Sequence, residues 1–188
     1  MDVTDNGEIV FAFEFLTDSG FSLGVSRLLD DGSIDRGFGN NGFFIRPDTF
    51  NGLVQLTPDG GVAIGFTNGD ATVDDAPFNT LGIPSLILLN PDGQISSEIL
   101  ITPSAADINN VPNFIDVGTR SLAVDQSGNI FLSYGRASFT EVVVRVTPSG
   151  QVAGESFLNS PVFGLGNDII FDSSDRLVVV GQNISRFV

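Results

Sequence analysis

The residues in this 188-residue chain that could do chemistry are almost all carboxylates, and two long stretches between repeat elements carry five of the 23. NGDATVDDAPFNTLGIP (68–84) carries Asp70, Asp74 and Asp75 with Phe78, and PSAADINNVPNFIDVG (103–118) carries Asp107 and Asp116 with Phe114. Carboxylates backed by Asn side chains and backbone carbonyls suit a hard, oxygen-seeking cation such as Ca²⁺. Asp70, Asp74 and Asp75 are the ligands such an ion would take, although no motif requires a cofactor. All seven residues are candidates for ligand binding. The competing reading is solvated loop acid, with Phe78 and Phe114 pinning the loops to the fold beneath. With no His and no Cys, the chain supplies no imidazole base, no thiolate nucleophile and none of the usual zinc or copper ligands.

Three other patterns invite chemistry and read better as structure. DDGSID (30–35) crowds Asp30, Asp31 and Asp35 around one glycine, but it lacks the alternating ligands and closing Glu of a calcium loop. It reads as a hairpin turn. GFGNNG (37–42) has the glycines of a phosphate loop without a following helix to supply a dipole. Arg27 and Arg145 stand at one repeated position, with Arg186 at a third copy and Leu88 at the remaining one. Recurrence argues for a structural arginine whose stem covers aromatics while its head bonds carbonyls or carboxylates between repeats.

A formal charge of −15 works against nucleic acid and anionic membrane, which need Lys and Arg to neutralise phosphate. Neither is expected as a partner. All eight basic residues are Arg, and 18 of the 23 acids are Asp, the acid favoured in turns. No window is apolar enough for membrane insertion, and the start, MDVTDNGEIV, has no signal-peptide pattern. Near absence of Tyr and absence of Trp weaken a sugar-stacking platform; the 17 Phe read as packing.

These residues need elements to hold them, and the elements repeat. VTDNGEIVFAF (3–13), LTPDGGVAIGF (56–66), VDQSGNIFLSY (124–134) and FDSSDRLVVVG (171–181) share a turn followed by an apolar strand. They align on Gly7, Gly60, Gly128 and Asp175, which are 53, 68 and 47 residues apart. A second turn follows in VSRLLDDGSI (25–34), LILLNPDGQI (86–95) and VVRVTPSGQV (143–152), and ISRFV (184–188) begins a fourth. Asp-Gly, Asn-Gly and Ser-Gly pairs supply positions tolerant of positive φ, so they close hairpins, with Gly60 and Gly93 among them. Flanks such as VAI, IFL and LVVV are apolar on both faces, as strands buried between stacked sheets must be.

This pattern predicts an all-β chain of four-stranded antiparallel β-propeller blades, three complete and one of three strands, or about 3.75 blades of a partial propeller. The second repeat reads as strands at about 53–57, 61–67, 85–90 and 95–102. One helical turn could fit 104–110. The single domain spans 1–188, with blades at about 1–51, 52–118, 119–166 and 167–188.

SRLLDDGSIDRGFGNNGFF (26–44) followed by LVQLTPDGGVAIGF (53–66) resembles the bacterial delta-60 β-propeller repeat, whose pattern runs RLnxDGslDxxFGxxG and then LQxDGkIxxaG. Repeats three and four are also similar to NHL-like propeller repeats, and repeat two lacks the DxxFG piece. The resemblance implies a module of a bacterial secreted or cell-surface protein. It carries no catalytic residue with it.

In an antiparallel blade the A–B and C–D turns lie at one end and the B–C and D–A loops at the other. Both acidic stretches therefore belong to the loop end, where a rigid scaffold usually presents binding residues. Two functions follow. One is a non-catalytic binding or scaffold module for a protein or carbohydrate ligand. The other is a divalent-metal-dependent hydrolase or lactonase whose loop-end carboxylates hold the ion. An incomplete last blade further predicts a partner in the remainder of a larger propeller or in a second copy.

Overall fold

Seven turns of one design organise the chain. In each, the residue at the first position accepts an amide bond from the residue three further on, and donates its own amide to the carbonyl four further on. The first positions are Thr4, Leu29, Thr57, Asn90, Asp125, Thr147 and Asp172. The fourth positions are Gly7, Gly32, Gly60, Gly93, Gly128 and Gly150, at φ between 74° and 85°, and Asp175 at 57°. This is a three-residue loop in which a type I turn is followed by one left-handed residue. Among the described residues of these seven turns only the fourth takes positive φ, so the residue pair there is not itself a two-residue turn. A polar first residue locks the loop: Asn90 Oδ1 accepts the Gln94 amide at 2.8 Å, and Thr147 Oγ1 accepts that of Gln151 at 3.1 Å.

The computed structural model describes residues 1–4, 6–18, 20–68, 83–101, 118–136, 140–158, 168–180 and 184–187. All its regular structure is β. Sheet one is β1 (Asp2–Val3), β2 (Ile9–Thr17), β3 (Gly20–Leu28) and β4 (Phe43–Pro47). Sheet two is β5 (Thr49–Leu56), β6 (Val62–Asn68), β7 (Ile83–Leu89) and β8 (Ile95–Leu100). Sheet three is β9 (Thr119–Val124), β10 (Ile130–Arg136), β11 (Thr140–Val146) and β12 (Val152–Leu158), and sheet four is β13 (Asp168–Phe171), β14 (Leu177–Val180) and β15 (Ile184–Phe187). Every sheet is an antiparallel meander in chain order, three of four strands and one of three. The first strands lie side by side, β1 by β5, β5 by β9 and β9 by β13, and the sheets stack in an open arc. These are propeller blades. The strand at 53–57 begins earlier, at Thr49, because a bulge between Phe50 and Leu53, with Asn51 at φ 56°, lets pairing with β6 resume beyond it. The stretch 104–110 lies outside the described residues.

Both faces of a sheet are needed because consecutive residues are apolar. Val62, Ile64 and Phe66 of β6 face sheet one, where Val10, Leu23, Val25 and Phe38 meet them. Ala63 lies on the other face, in the cluster with Leu122, Ile130, Leu132 and Tyr134 of sheet three. Ile169 and Val179 of sheet four pack on Ala123 and Val143. Between sheets two and three the approach is close enough that a Cβ at Gly65 would lie 2.6 Å from Leu132 Cδ1. The equivalent residue of sheet three is Ser133, whose fully buried hydroxyl has no hydrogen-bond partner.

GFGNNG is part of this packing. Phe38 is fully buried against sheet two, and the Gly39 amide donates to Asp92 O at 2.8 Å in the Asn90–Gly93 turn. A Cβ at Gly93 would come within 2.5 Å of Gly39 N and 2.9 Å of Phe38 Cδ2, whereas one at Gly60 meets nothing closer than 3.8 Å. Both glycines share the left-handed turn conformation, so Gly60→Ala isolates its cost of about 1–2 kcal/mol. Gly93→Ala adds displacement of the Phe38 loop, and urea denaturation is expected to show the larger loss there. Ser133→Ala removes an unsatisfied buried hydroxyl and is expected to raise stability by roughly 1 kcal/mol in the same assay.

Candidate functional site

The hairpin turns gather at one end of the arc, and the longer connections leave from the other. Asn68 pairs with Ile83 at that second end, and Leu100 pairs with Ser85 beside it. The Ile101 amide donates to Pro84 O at 3.0 Å, and the Gly135 amide to Gly118 O at 3.2 Å. Thr67 Oγ1 accepts the Thr119 amide at 3.1 Å, and Thr119 Oγ1 donates to Asn51 O at 3.1 Å, tying the exit of β6 to the entry of β9. The chain thus leaves for both acidic stretches from neighbouring points on one rim. Asp70, Asp74, Asp75, Phe78, Asp107, Phe114 and Asp116 themselves lie outside the described residues. Among the described residues no three carboxylates stand close enough to hold a metal.

Two clefts open at the turn end, away from the two acidic stretches. One, of 220 Å³, lies between sheets two and three. Its walls include Pro58, Pro148, Leu88 and Ile130, and its polar groups include Asp59 and Asn90. The prolines occupy the second position of their turns, where a fixed φ suits a type I turn and turns an apolar ring outward. The Thr57 hydroxyl, 2.6 Å away, and the Gly61 amide hold the Asp59 carboxyl below its usual range, against the opposing effect of burial. The other cleft, of 360 Å³, sits where the innermost turns converge and includes Asp2, Thr4, Pro58, Asp125 and Gln126 in its lining. Asp2 Oδ2 there accepts Gln55 Nε2 at 2.7 Å and the Leu56 amide at 2.8 Å, so this carboxylate stitches β1 to β5. A TPD or TPS turn signature could have pointed to these walls, but not to which turns converge.

The repeated arginine behaves differently from expectation. Arg27 donates Nε and Nη2 to Asp35 Oδ2 at 2.8 and 2.6 Å and lies 5.2 Å over the Phe38 ring, all within one repeat. It clamps the DDGSID–FG loop onto its own blade rather than bridging blades. Its guanidinium holds the Asp35 carboxyl below the usual carboxylate range. Arg145 is exposed, and Leu88 is buried in the core between sheets two and three. The side chain of Arg186 lies outside the described residues. Position recurs; the interaction does not, because only the first repeat supplies both Asp35 and Phe38. Burial and the nearby charge of Glu155 push the Tyr134 phenol up to about 12, so it does not serve as a base near neutral pH.

No family model matches the chain, and no curated protein matches it. Among solved structures it is similar to a protein of unknown function from Bacteroides caccae, with a TM-score of 0.51 and 10% identity over 93% of this chain and 58% of that one. It is also similar to the β-propeller domain of the Trilobed protease from Pyrococcus furiosus, described as having an open velcro topology. There the TM-score is 0.49 and the identity 10%, over 96% of this chain and 54% of the other. The chain spans little more than half the length of these two structures. The first likeness concerns the fold alone.

The turn-end charge pair of sheet four gives a direct pH test. Asp172 Oδ2 accepts Arg176 Nε at 2.9 Å and Nη2 at 2.7 Å, and Oδ1 accepts the Ser174 and Arg176 amides. Chiefly through Arg176, its carboxyl is lowered from 3.8 to about 2. A folded value below the unfolded one means that stabilisation is complete above about pH 4 and fades as pH falls towards 2. Asp172→Asn keeps a capping oxygen, as Asn90 does in its own turn. Its stability deficit at neutral pH is expected to shrink below pH 4 and vanish near pH 2, as read by denaturant melts across that range.

Proposed function

We propose that this chain is a non-catalytic binding or scaffold module built of delta-60-type propeller repeats, working in a bacterial secreted or cell-surface protein. The observation that carries this reading is the chemistry of the turn-end clefts. They join Pro and aliphatic walls to polar groups such as Asp59 and Asn90 that are already engaged in holding turns, Asp59 by the Thr57 hydroxyl and the Gly61 amide. Such a surface selects a ligand by shape and hydrogen bonding, as binding clefts do. The −15 charge favours a neutral or cationic partner, a protein or a carbohydrate, over a polyanion.

In this reading the variable loop end supplies specificity. The stretches 68–84 and 103–118 leave from adjacent points of one rim, and their Asp residues are the oxygen ligands that a Ca²⁺ ion would take. Ca²⁺ is then a structural aid to binding rather than a catalytic requirement.

A thermal-shift titration tests this. Ca²⁺ at a hundred times its dissociation constant is expected to stabilise the wild type by about 2.7 kcal/mol. Replacing Asp70, Asp74 and Asp75 together by Asn is expected to abolish that gain while leaving the metal-free melting temperature nearly unchanged. No Ca²⁺-dependent shift in the wild type, or an equal shift in both proteins, overturns the loop-end site. Calcium-dependent hydrolysis of an ester or lactone by the wild type overturns the non-catalytic reading.

A further inference from the structure

The two junctions between four-stranded sheets can be compared residue for residue. Counted from the turn glycines, Arg27, Asp35 and Gly60 at the junction of sheets one and two correspond to Leu88, Ser96 and Gly128 at the junction of sheets two and three. At the first junction the space is filled from within. Arg27 Nη2 and Asp35 Oδ2 stand 2.6 Å apart, each side chain only 16% exposed, and Phe38 sits beneath the Gly93 turn.

At the second junction the seat of the aromatic is already taken. A Cβ at Gly150, the counterpart of Gly93, would lie 2.5 Å from Ser97 Oγ and 3.5 Å from Ile99 Cδ1, because β8 starts directly after its turn with no DxxFG piece before it. The seat of the ion pair is not taken. Leu88 is shorter than an arginine and neutral, and the Ser96 hydroxyl turns back to donate to Leu88 O at 3.0 Å. Both line the 220 Å³ cleft, together with Gly128, where an added Cβ would meet Pro148 Cγ at 3.3 Å and Pro58 Cδ at 3.8 Å. The cleft lies between two inner sheets, so sheets stacked before sheet one or beyond sheet four leave it open. Among the described residues that line it, Asp59 alone carries a charge. The Thr57 hydroxyl and the Gly61 amide both donate to its Oδ1, which leaves the lone pairs of Oδ2 for another donor.

We propose that this cleft takes one arginine side chain of a partner protein, in the seat that Arg27 fills at the first junction. It rests on the reading of the chain as a binding module and adds the class of side chain selected. Pro58, Pro148, Leu88 and Ile130 cover the methylene stem, and the guanidinium fork meets the Asp59 carboxylate. The volume falls below the roughly 300–1,000 Å³ of pockets for whole small ligands, which suits a single side chain presented by a larger partner. With a net charge of −15, the chain complements a basic partner.

An NMR titration of the full chain with the blocked tripeptide acetyl-Gly-Arg-Gly-amide reads the site directly. Saturable shifts are expected at the backbone amides of Gly61, Ser127 and Gly128, with the neutral, isosteric citrulline peptide about fivefold weaker. Asp59→Asn is expected to weaken the arginine peptide by the same factor and to leave the citrulline peptide unchanged. Asn6 stands at this position in the first repeat, so the turn accepts it. Leu88→Arg with Ser96→Asp rebuilds the pair of the first junction and is expected to abolish binding. Should that double variant fail to fold, Ser127→Trp, at an exposed turn residue of the lining, blocks the cleft with the same expected loss. Equal affinity for the two peptides, undiminished affinity in the filled or blocked variant, or no shift with either peptide overturns the arginine site. Tighter binding of free L-arginine than of the peptide overturns a protein as its source. Each of these failures leaves the binding-module reading standing, since that reading falls to hydrolysis of an ester or lactone.

Discussion

The structure depends on sheets that are apolar on both faces. In β6 every residue from Val62 to Phe66 is buried, so alternation along the strand divides residues between two neighbours rather than between core and water. A four-stranded meander of this kind cannot offset the entropy of ordering its own backbone. It gains its stability from the sheets packed against it. Spacing is then set by the closest approach at each junction, and small residues appear where a side chain from the next sheet intrudes, as Leu132 does at Gly65. At the next junction the same position holds Ser133, with its buried hydroxyl unsatisfied. The position must stay small, and a serine meets that demand at a cost in solvation.

The repeated turns made strand number and order legible. Their signal lies in the backbone, where a left-handed residue at a fixed place after a polar one is satisfied by few residue types. Gly dominates, and Asp175 replaces it once. Strand limits were less legible: β5 begins at Thr49 because a bulge, which no residue type announces, allows pairing to resume beyond it. The arginine series shows a further limit. Arg27, Arg145 and Leu88 share a register position, but what each side chain does is decided by the loop above it, and only the first repeat has Asp35 and Phe38 there.

GFGNNG illustrates how a glycine-rich string misleads towards ligand chemistry. Its glycines leave room for one blade to press on the next, since Gly39 donates to Asp92 O and Phe38 fills the space beneath the Gly93 turn. The feature that separates this from a phosphate loop is Phe38, an aromatic with no polar task at the centre of the string. Cleft-forming prolines were equally hard to interpret from sequence. Pro58 and Pro148 are ordinary turn residues singly and become walls only because sheets two and three bring their turns together.

This division explains why function resists a reading by repeats. Residues at the turn end recur because each turn must both close its hairpin and fit its neighbour, so a change there is constrained by stacking. Connections at the loop end do not share that repeated turn: they span from Asn68 to Ile83 in one case and from Ile101 to Gly118 in another. Length and charge can therefore vary freely there, which is the freedom a binding surface needs. The two acidic insertions occupy that freedom in a single repeat. A residue that appears once, above a scaffold that repeats, answers to no constraint shared with counterparts in the other repeats, and such positions are where a binding role can be acquired.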